Sequence, residues 1–427
     1  MLSDEIPPAT ASAKSAPEIR PVRPKERIEV IDILRGWAIL GILLVNMLYY
    51  GSPSLVWVRQ AWGAPADQAA VVLVGLLAVS KFWPLLSFLF GLGFGLQMQR
   101  AETRGIRFFP LYRRRLLVLL FFGLVHYLMW FGDYLHLYAV LGFLLFFFRT
   151  RSTKTLVVTA FVCLLIPWAH GAAVTGIREL RLPAQQLIQE KAQRTAERRD
   201  RDEKALRAYS QGTFREIPAT NAERFARGYS SLDDYLGILG DPFPLFFLGL
   251  YAARRRIFEN IRAHLPFIRK VMWWGLGLGL AHISLEIFTL LLTNPATPYL
   301  INQVNDLFWR AGAPALGFFY ASGITLLVQR EAWKKRLAPL AAVGRLALTN
   351  YLLQSVICTT IFYSYGLGLY GQVGPAAGVS LTVLIFVTQI MLSVWWMRRF
   401  RFGPAEWLWR TLTYGKLQPM RVRQIAA

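Results

Sequence analysis

Residues Ile31–Tyr50, IDILRGWAILGILLVNMLYY, decide the fold class, since their only charged side chains are Asp32 and Arg35. About 20 apolar residues in a helix cross a ~30 Å hydrocarbon core. A helix also leaves no backbone polar group unpaired in lipid. The stretch therefore reads as a membrane-spanning helix.

The rest of the chain repeats the pattern. The 427 residues are 55% hydrophobic and 17% charged, with a net charge of +23, and the mean hydropathy is +0.36. Soluble domains carry about 25% charged residues, so an ordinary soluble enzyme is excluded, and so is a disordered chain. Ten apolar segments follow one another, near 31–50, 71–98, 116–131, 135–148, 155–171, 242–253, 271–293, 308–328, 338–363 and 377–397. The fold expected is an all-α polytopic membrane bundle of about ten helices. Pro84 inside the second segment predicts a kink or a break there. Two five-helix halves are expected at 27–171 and 242–400. Around them lie a Pro-rich flexible tail (1–26), a connector (172–241) and an amphipathic tail (401–427). The first 26 residues have no basic n-region running straight into an apolar core, so they do not read as a signal peptide.

Lys and Arg cluster in alternate loops, at 100–115, 149–154, 254–270 and 330–336. The loops between, 51–70, 132–134, 294–307 and 364–376, are almost free of them. Positive residues favour the cytoplasmic side. Both termini are thus expected in the cytoplasm of a multi-pass membrane protein, with the bilayer as its first partner. Nucleic acid is a poorer account of the charge, because no basic stripe lies on a soluble module. The connector is basic yet must lie outside, and loops longer than ~60 residues escape the rule. Its stretch Gln185–Tyr209, QQLIQEKAQRTAERRDRDEKALRAY, reads as an exposed or interfacial helix. A solvated connector is the simpler reading, a substrate lid the alternative.

Ionisable groups in lipid are costly and mark candidate sites. On the first span Asp32, Arg35, Ile39 and Asn46 share one helical face. Asp32 and Arg35 can pair at i, i+3, and Asn46 lies ~16 Å further along the axis. In the second span Gly91, Gly93 and Gly95 allow close helix approach. The third and fourth spans, RRRLLVLLFFGLVHYLMWFGDYLHLYAVLGFLL (113–145), meet at a very short turn. There Asp133 precedes His136 by three residues, and His126 lies on the neighbouring helix. A carboxylate fixes the tautomer of an imidazole and raises its basicity, as a general base needs. A metal is not expected, since a third ligand is not evident. His282 and Glu286, at i, i+4, read as a structural pair or a proton relay. The ninth span, GRLALTNYLLQSVICTTIFY (344–363), repeats the two-depth pattern with Arg345, Asn350, Tyr351 and Gln354. Its Ser355 has no obvious partner base and is a weak nucleophile candidate. Cys163 and Cys358 form no disulfide framework.

RIEVIDILRGWAILGILLVNM (27–47), LLSFLFGLGFGLQMQR (85–100), GDYLHLYAVLG (132–142), GRLALTNYLLQSVI (344–357) and FGPAEWLWRTLTYGKLQPMR (402–421) resemble the bacterial DUF418 family, also called the YeiB family. The likeness runs from about residue 27 to 423. More distantly, the chain resembles transmembrane acyltransferases of the heparan-α-glucosaminide N-acetyltransferase type, which also open with D-x-x-R-G. Asp32, Arg35 and Gly36 match that element, and Asn46 matches the Asn at the end of the helix. The resemblance implies transfer of an acyl group from cytosolic acyl-CoA, as donor substrate, to an outer small-molecule or glycan acceptor. Those enzymes carry a catalytic His in the loop after the first span, and residues 51–70 have none. Either His126 or His136 takes that role, or the acyl chemistry is lost. In the enzyme reading, His136, Asp133, His126 and Asn46 are catalytic. Asp32, Arg35, Arg113, Arg114 and Arg115 hold acyl-CoA, and Arg345, Asn350, Tyr351 and Gln354 bind substrate. The alternatives are a proton-coupled transporter or lipid flippase, and a non-catalytic membrane partner. The Gly-rich spans would also allow a homo-oligomer.

Overall fold

A computed structural model describes residues 27–292 and 299–422. The expected tail at 1–26 lies outside the described residues, as does part of the 294–307 loop. The described residues are helical almost throughout, and they join in one isolated β-bridge, Phe400 to Arg421. Helix α1 spans Glu29–Tyr50, with Glu29 and Asp32 in the first turn, where the helix dipole favours acidic groups. Two short helices follow, α2 (Leu55–Ala61) and α3 (Pro65–Leu77). The chain then breaks at residues 78–81, with Ser80 at φ 63°, before α4 (Phe82–Thr103). The break falls upstream of Pro84, which puts that proline in the first turn of α4, where a missing N–H costs nothing.

Helices α5 (Phe108–Met129) and α6 (Leu135–Phe146) form an antiparallel pair joined by residues 130–134. Next comes α7 (Thr153–Arg181). The connector then folds as α8 (Ala184–Gln211), α9 (Glu216–Arg227) and α10 (Leu232–Gly240). The last part holds α11 (Phe243–Arg254), α12 (Leu265–Leu292), α13 (Tyr299–Leu327), α14 (Glu331–Arg345), α15 (Ala347–Phe362), α16 (Pro375–Arg399) and α17 (Pro404–Tyr414).

All ten apolar segments fall on helices, but their count as spans changes. Six helical stretches of the described residues are long and apolar enough to cross a membrane, or seven if α14 and α15, bent by 75°, count as one. The expected ten is thus not reached by this measure. α5 carries three consecutive arginines at 113–115, and α6 is only 12 residues long. The chain is a polytopic helical membrane protein. Much of α7 and α12 is unburied by the rest of the chain, and Phe161, Leu165, Trp273, Trp274 and Leu280 stand exposed on them. Such apolar outer faces suit lipid rather than water.

Helix α1 lies at the centre, against α4, α14, α15 and α16. It meets α14 backbone to backbone. A Cβ on Gly36 would strike the Leu340 carbonyl, and one on Gly344 would strike that of Asp32. α4 meets α11 in the same way through Gly91 and Gly249.

Candidate functional site

The short α5–α6 connector presents a carboxylate to two imidazoles. Asp133 Oδ1 lies 2.7 Å from His126 Nδ1, and Oδ2 lies 2.8 Å from His136 Nδ1. The His136 backbone N–H also donates to Oδ2, at 3.0 Å. All three side chains are buried. Burial opposes ionisation of Asp133, but the hydrogen bonds from His126 and His136 outweigh it and hold the carboxyl below the usual carboxylate range. An ionised carboxylate only accepts, so both Nδ1 atoms carry protons, and in the neutral imidazoles both Nε2 lone pairs point away. That of His136 accepts from the Tyr229 hydroxyl. That of His126 accepts from Ser355 Oγ, at 2.7 Å. Ser355 Oγ in turn accepts from Tyr50, at 2.6 Å. A single carboxylate thus orders a hydrogen-bonded chain of six side chains.

Beside this cluster lies a cavity of about 1040 Å³. Asp32, Arg35, Ile39 and Asn46 all line it, so the polar face of α1 is one cavity wall. Arg35 Nη1 holds Asp32 Oδ1 at 3.0 Å. Arg100, Arg115, Arg345 and Arg410 stand with Arg35 on the wall, and the Arg345 Nε is buried without a hydrogen-bond partner. Asp133, His136, Tyr229 and Tyr351 also line the cavity. His126 lies just behind the wall, its ring 5.0 Å from that of Tyr351.

Other residues singled out in the sequence point elsewhere. Arg113 and Arg114 are exposed on α5 and do not line the cavity, whereas Arg115 does and lies 3.9 Å over the Trp409 ring. Asn350 and Gln354 face α16 instead of the cavity. Asn350 Nδ2 donates to the Val343 carbonyl at 3.3 Å and to Ser393 Oγ at 3.1 Å. Gln354 donates to Gln389, at 2.8 Å. The bend after Arg345 explains this, because breaking a helix frees carbonyls at the end of α14 and N–H groups at the start of α15. In lipid those groups need partners from the chain itself, and Asn350 supplies one.

Glu406 supplies the other. From α17 its carboxylate accepts the backbone N–H groups of Leu348 at 2.7 Å and Thr349 at 3.1 Å, and the Thr349 hydroxyl at 2.5 Å. Glu406→Ala is expected to cost about 1.5–3 kcal/mol, the loss of charge-assisted hydrogen bonds that leaves buried donors unpaired. Thermal unfolding in detergent should show this, with tryptic release of the C-terminal segment at a lower temperature than in the wild type.

The connector is docked rather than running free in solvent. Tyr209 and Asn221 are fully buried and share a 2.6 Å hydrogen bond, and Asn221 Nδ2 donates to the Leu128 carbonyl at 2.9 Å. Arg224 lies 3.9 Å over the Phe131 ring and donates to the Pro53 carbonyl at 3.1 Å. These contacts seat α8 and α9 over the α5–α6 connector and bring Tyr229 to His136. Tyr50, Tyr229 and Glu406 were not singled out in the sequence, and Arg410 read only as part of the amphipathic C-terminal tail, whereas it lines the cavity. Tyr50 is one turn past Asn46 on the same face, a usable signal. Tyr229 sits in a polar loop and gave none.

The class the fold defines is a polytopic helical membrane protein, here with a buried carboxylate shared by two imidazoles beside an arginine-bearing cavity. The chain belongs to the DUF418 family. Residues 252–416 match the family model described as "Protein of unknown function (DUF418)". It is 35% identical over 419 residues to the uncharacterized protein YxaH of Bacillus subtilis (strain 168), covering 94% of this chain and 98% of that one. It is 29% identical over 402 residues to the uncharacterized protein YeiB of Escherichia coli (strain K12), covering 91% and 96%. An uncharacterized 39.9 kDa protein from the amylase 3′ region of Bacillus acidopullulyticus is 27% identical, covering 95% and 99%.

Proposed function

We propose that this protein is a membrane acyltransferase that takes an acyl group from a CoA thioester and passes it to a hydroxyl or amine acceptor. The observation that carries the reading is the shared cavity, whose wall bears both the arginine group and the Asp133–His136 pair. Arginine presents donors matched to phosphate oxygens, so Arg35, Arg115, Arg345 and Arg410 would hold the CoA phosphates. Asp32 keeps Arg35 in place. In this reading the protein sits in a bacterial inner membrane with the arginine end of the cavity and both termini on the cytoplasmic side and Asp133 toward the outer side, an orientation that the positive-inside bias of the loops supports.

At the outer end His136 is the base. Its Nε2 lone pair is aimed by the Nδ1–H bond to Asp133. The Tyr229 hydroxyl now occupies the position that an acceptor hydroxyl would take. Asn46, on the same cavity wall, is placed to polarise the thioester carbonyl. A proton-coupled carrier or flippase would draw on His282 and Glu286, whose Nε2 and Oε2 lie 3.5 Å apart, but of the two only Glu286 lines the cavity. The enzyme reading uses more of the ordered groups than either the carrier or a non-catalytic partner does.

Titration of acetyl-CoA into detergent-purified protein should show saturable heat. Arg345→Ala should weaken binding about 10–100-fold, the worth of a charged hydrogen bond. No binding at millimolar acetyl-CoA would overturn the proposal.

A further inference from the structure

Ser355 sits on α15, buried, behind the cavity wall. His126 Nδ1–H donates to Asp133 Oδ1 at 2.7 Å, so in the neutral ring His126 Nε2 is a bare lone pair, and the Ser355 hydroxyl donates to it at 2.7 Å. Tyr50 then donates to Ser355 Oγ at 2.6 Å. A hydroxyl proton aimed at an imidazole lone pair, with the imidazole oriented by a buried carboxylate, is what activates serine for attack on acyl groups. His126 on α5, Asp133 in the connector that follows it and Ser355 on α15, far away in the chain, make this alignment.

The geometry points to Ser355 as a nucleophile that carries the acyl group covalently between donor and acceptor. The inference rests on the acyl-transfer reading and deepens it, because it gives each imidazole on Asp133 its own task. In the first step Ser355 Oγ attacks the thioester carbonyl carbon and its proton passes to His126 Nε2. The C–S bond breaks and CoA leaves as thiolate, which takes a proton from water at the basic mouth; a thiol pKa near 8.5 makes that leaving group a good one. In the second step the acceptor attacks the serine ester while its proton passes to His136 Nε2. The bond from the acyl carbon to Oγ breaks, and Oγ recovers its proton from His126. His136 then releases its proton to outer solvent. The sum is transfer of the acyl group with one proton released outside and one taken up inside.

Ser355 reaches the cavity past two rings. Tyr351, one turn earlier on α15, and Trp130 both line the cavity. Their rings lie 5.0 and 5.9 Å from that of His126. The Tyr351 hydroxyl is held to the Gly132 carbonyl by a long bond of 3.4 Å, so this ring is the part of the wall that must swing aside.

An alkyl fluorophosphonate, a covalent probe for activated serine, tests the idea on the full-length protein in detergent. Peptide mass mapping of the wild type should place a single phosphonyl adduct on Ser355. Tyr351→Ala, with the wall opened, should label at least about tenfold faster, and His126→Gln on the order of 10³-fold slower. No adduct on Ser355 in either the wild type or Tyr351→Ala, both melting as folded proteins, would overturn the nucleophile. So would acetyl-CoA turnover undiminished in Ser355→Ala, a result that leaves the acyltransferase reading standing. An adduct on Ser355 in a protein that fails to bind acetyl-CoA supports the nucleophile and removes only the CoA donor.

Discussion

Replacing Asp133 with asparagine is expected to lower acetyl-CoA-dependent thiol release by on the order of 10³–10⁴-fold, the scale set by an imidazole held in the wrong tautomer. The carboxylate accepts from both ring Nδ1–H groups and from the His136 backbone N–H. An amide of the same shape has only one acceptor oxygen. Its NH₂ would face one ring nitrogen, and that ring must move its proton to Nε2 to avoid donor against donor. If the ring is His136, its lone pair toward Tyr229 is lost. If it is His126, the lone pair toward Ser355 is lost. Nitrogen NMR of ¹⁵N-histidine protein gives a second readout that needs no substrate. The wild type should show His126 and His136 protonated at Nδ1, and Asp133→Asn should switch one of them. Wild-type turnover with both tautomers unchanged would contradict the assignment of Asp133 as the organising charge.

Gly344→Val is the substitution expected to damage the fold most. A Cβ at Gly344 would meet the Asp32 carbonyl carbon and the Gly36 nitrogen, each at 2.8 Å. Both neighbours are backbone, so no side chain can rotate away to make room. Overpacking a core costs about 1–3 kcal/mol, and more where the backbone must shift; the expected loss is at the top of that range or beyond. Because Arg345 is the next residue, moving α14 off α1 also carries its guanidinium away from Arg35. Thermal unfolding should fall sharply, and whatever folded protein remains should bind acetyl-CoA more weakly than the wild type. Ala at exposed Gly277, which a Cβ would leave in open space, is the control.

The residues differ in how openly the sequence displayed their roles. The stripe Asp32, Arg35, Ile39 and Asn46 was legible, because a straight helix keeps its i, i+3, i+7 positions on one face, and that face lines the cavity. Asp133 and His136 were legible for the same local reason. Helical periodicity failed where rotation about the axis decides between neighbours. Arg113, Arg114 and Arg115 look equivalent, yet successive residues turn by about 100°, and Arg115 is the one on the cavity wall. It failed again after Arg345, where the chain bends by 75° and Asn350 and Gln354 bond to Ser393 and Gln389 of α16.

The class of protein follows from sequence alone, since long apolar runs admit one backbone solution in lipid. The local pairings within a turn of helix follow as well. The site is a different matter. Ser355 meets His126 across 229 positions, and Tyr229 meets His136 across 93. Glu406 caps a helix that starts 59 residues before it. No periodicity encodes such contacts, because they depend on how helices cross and where one bends; the close α1–α14 packing at Gly36 and Gly344 is one such crossing.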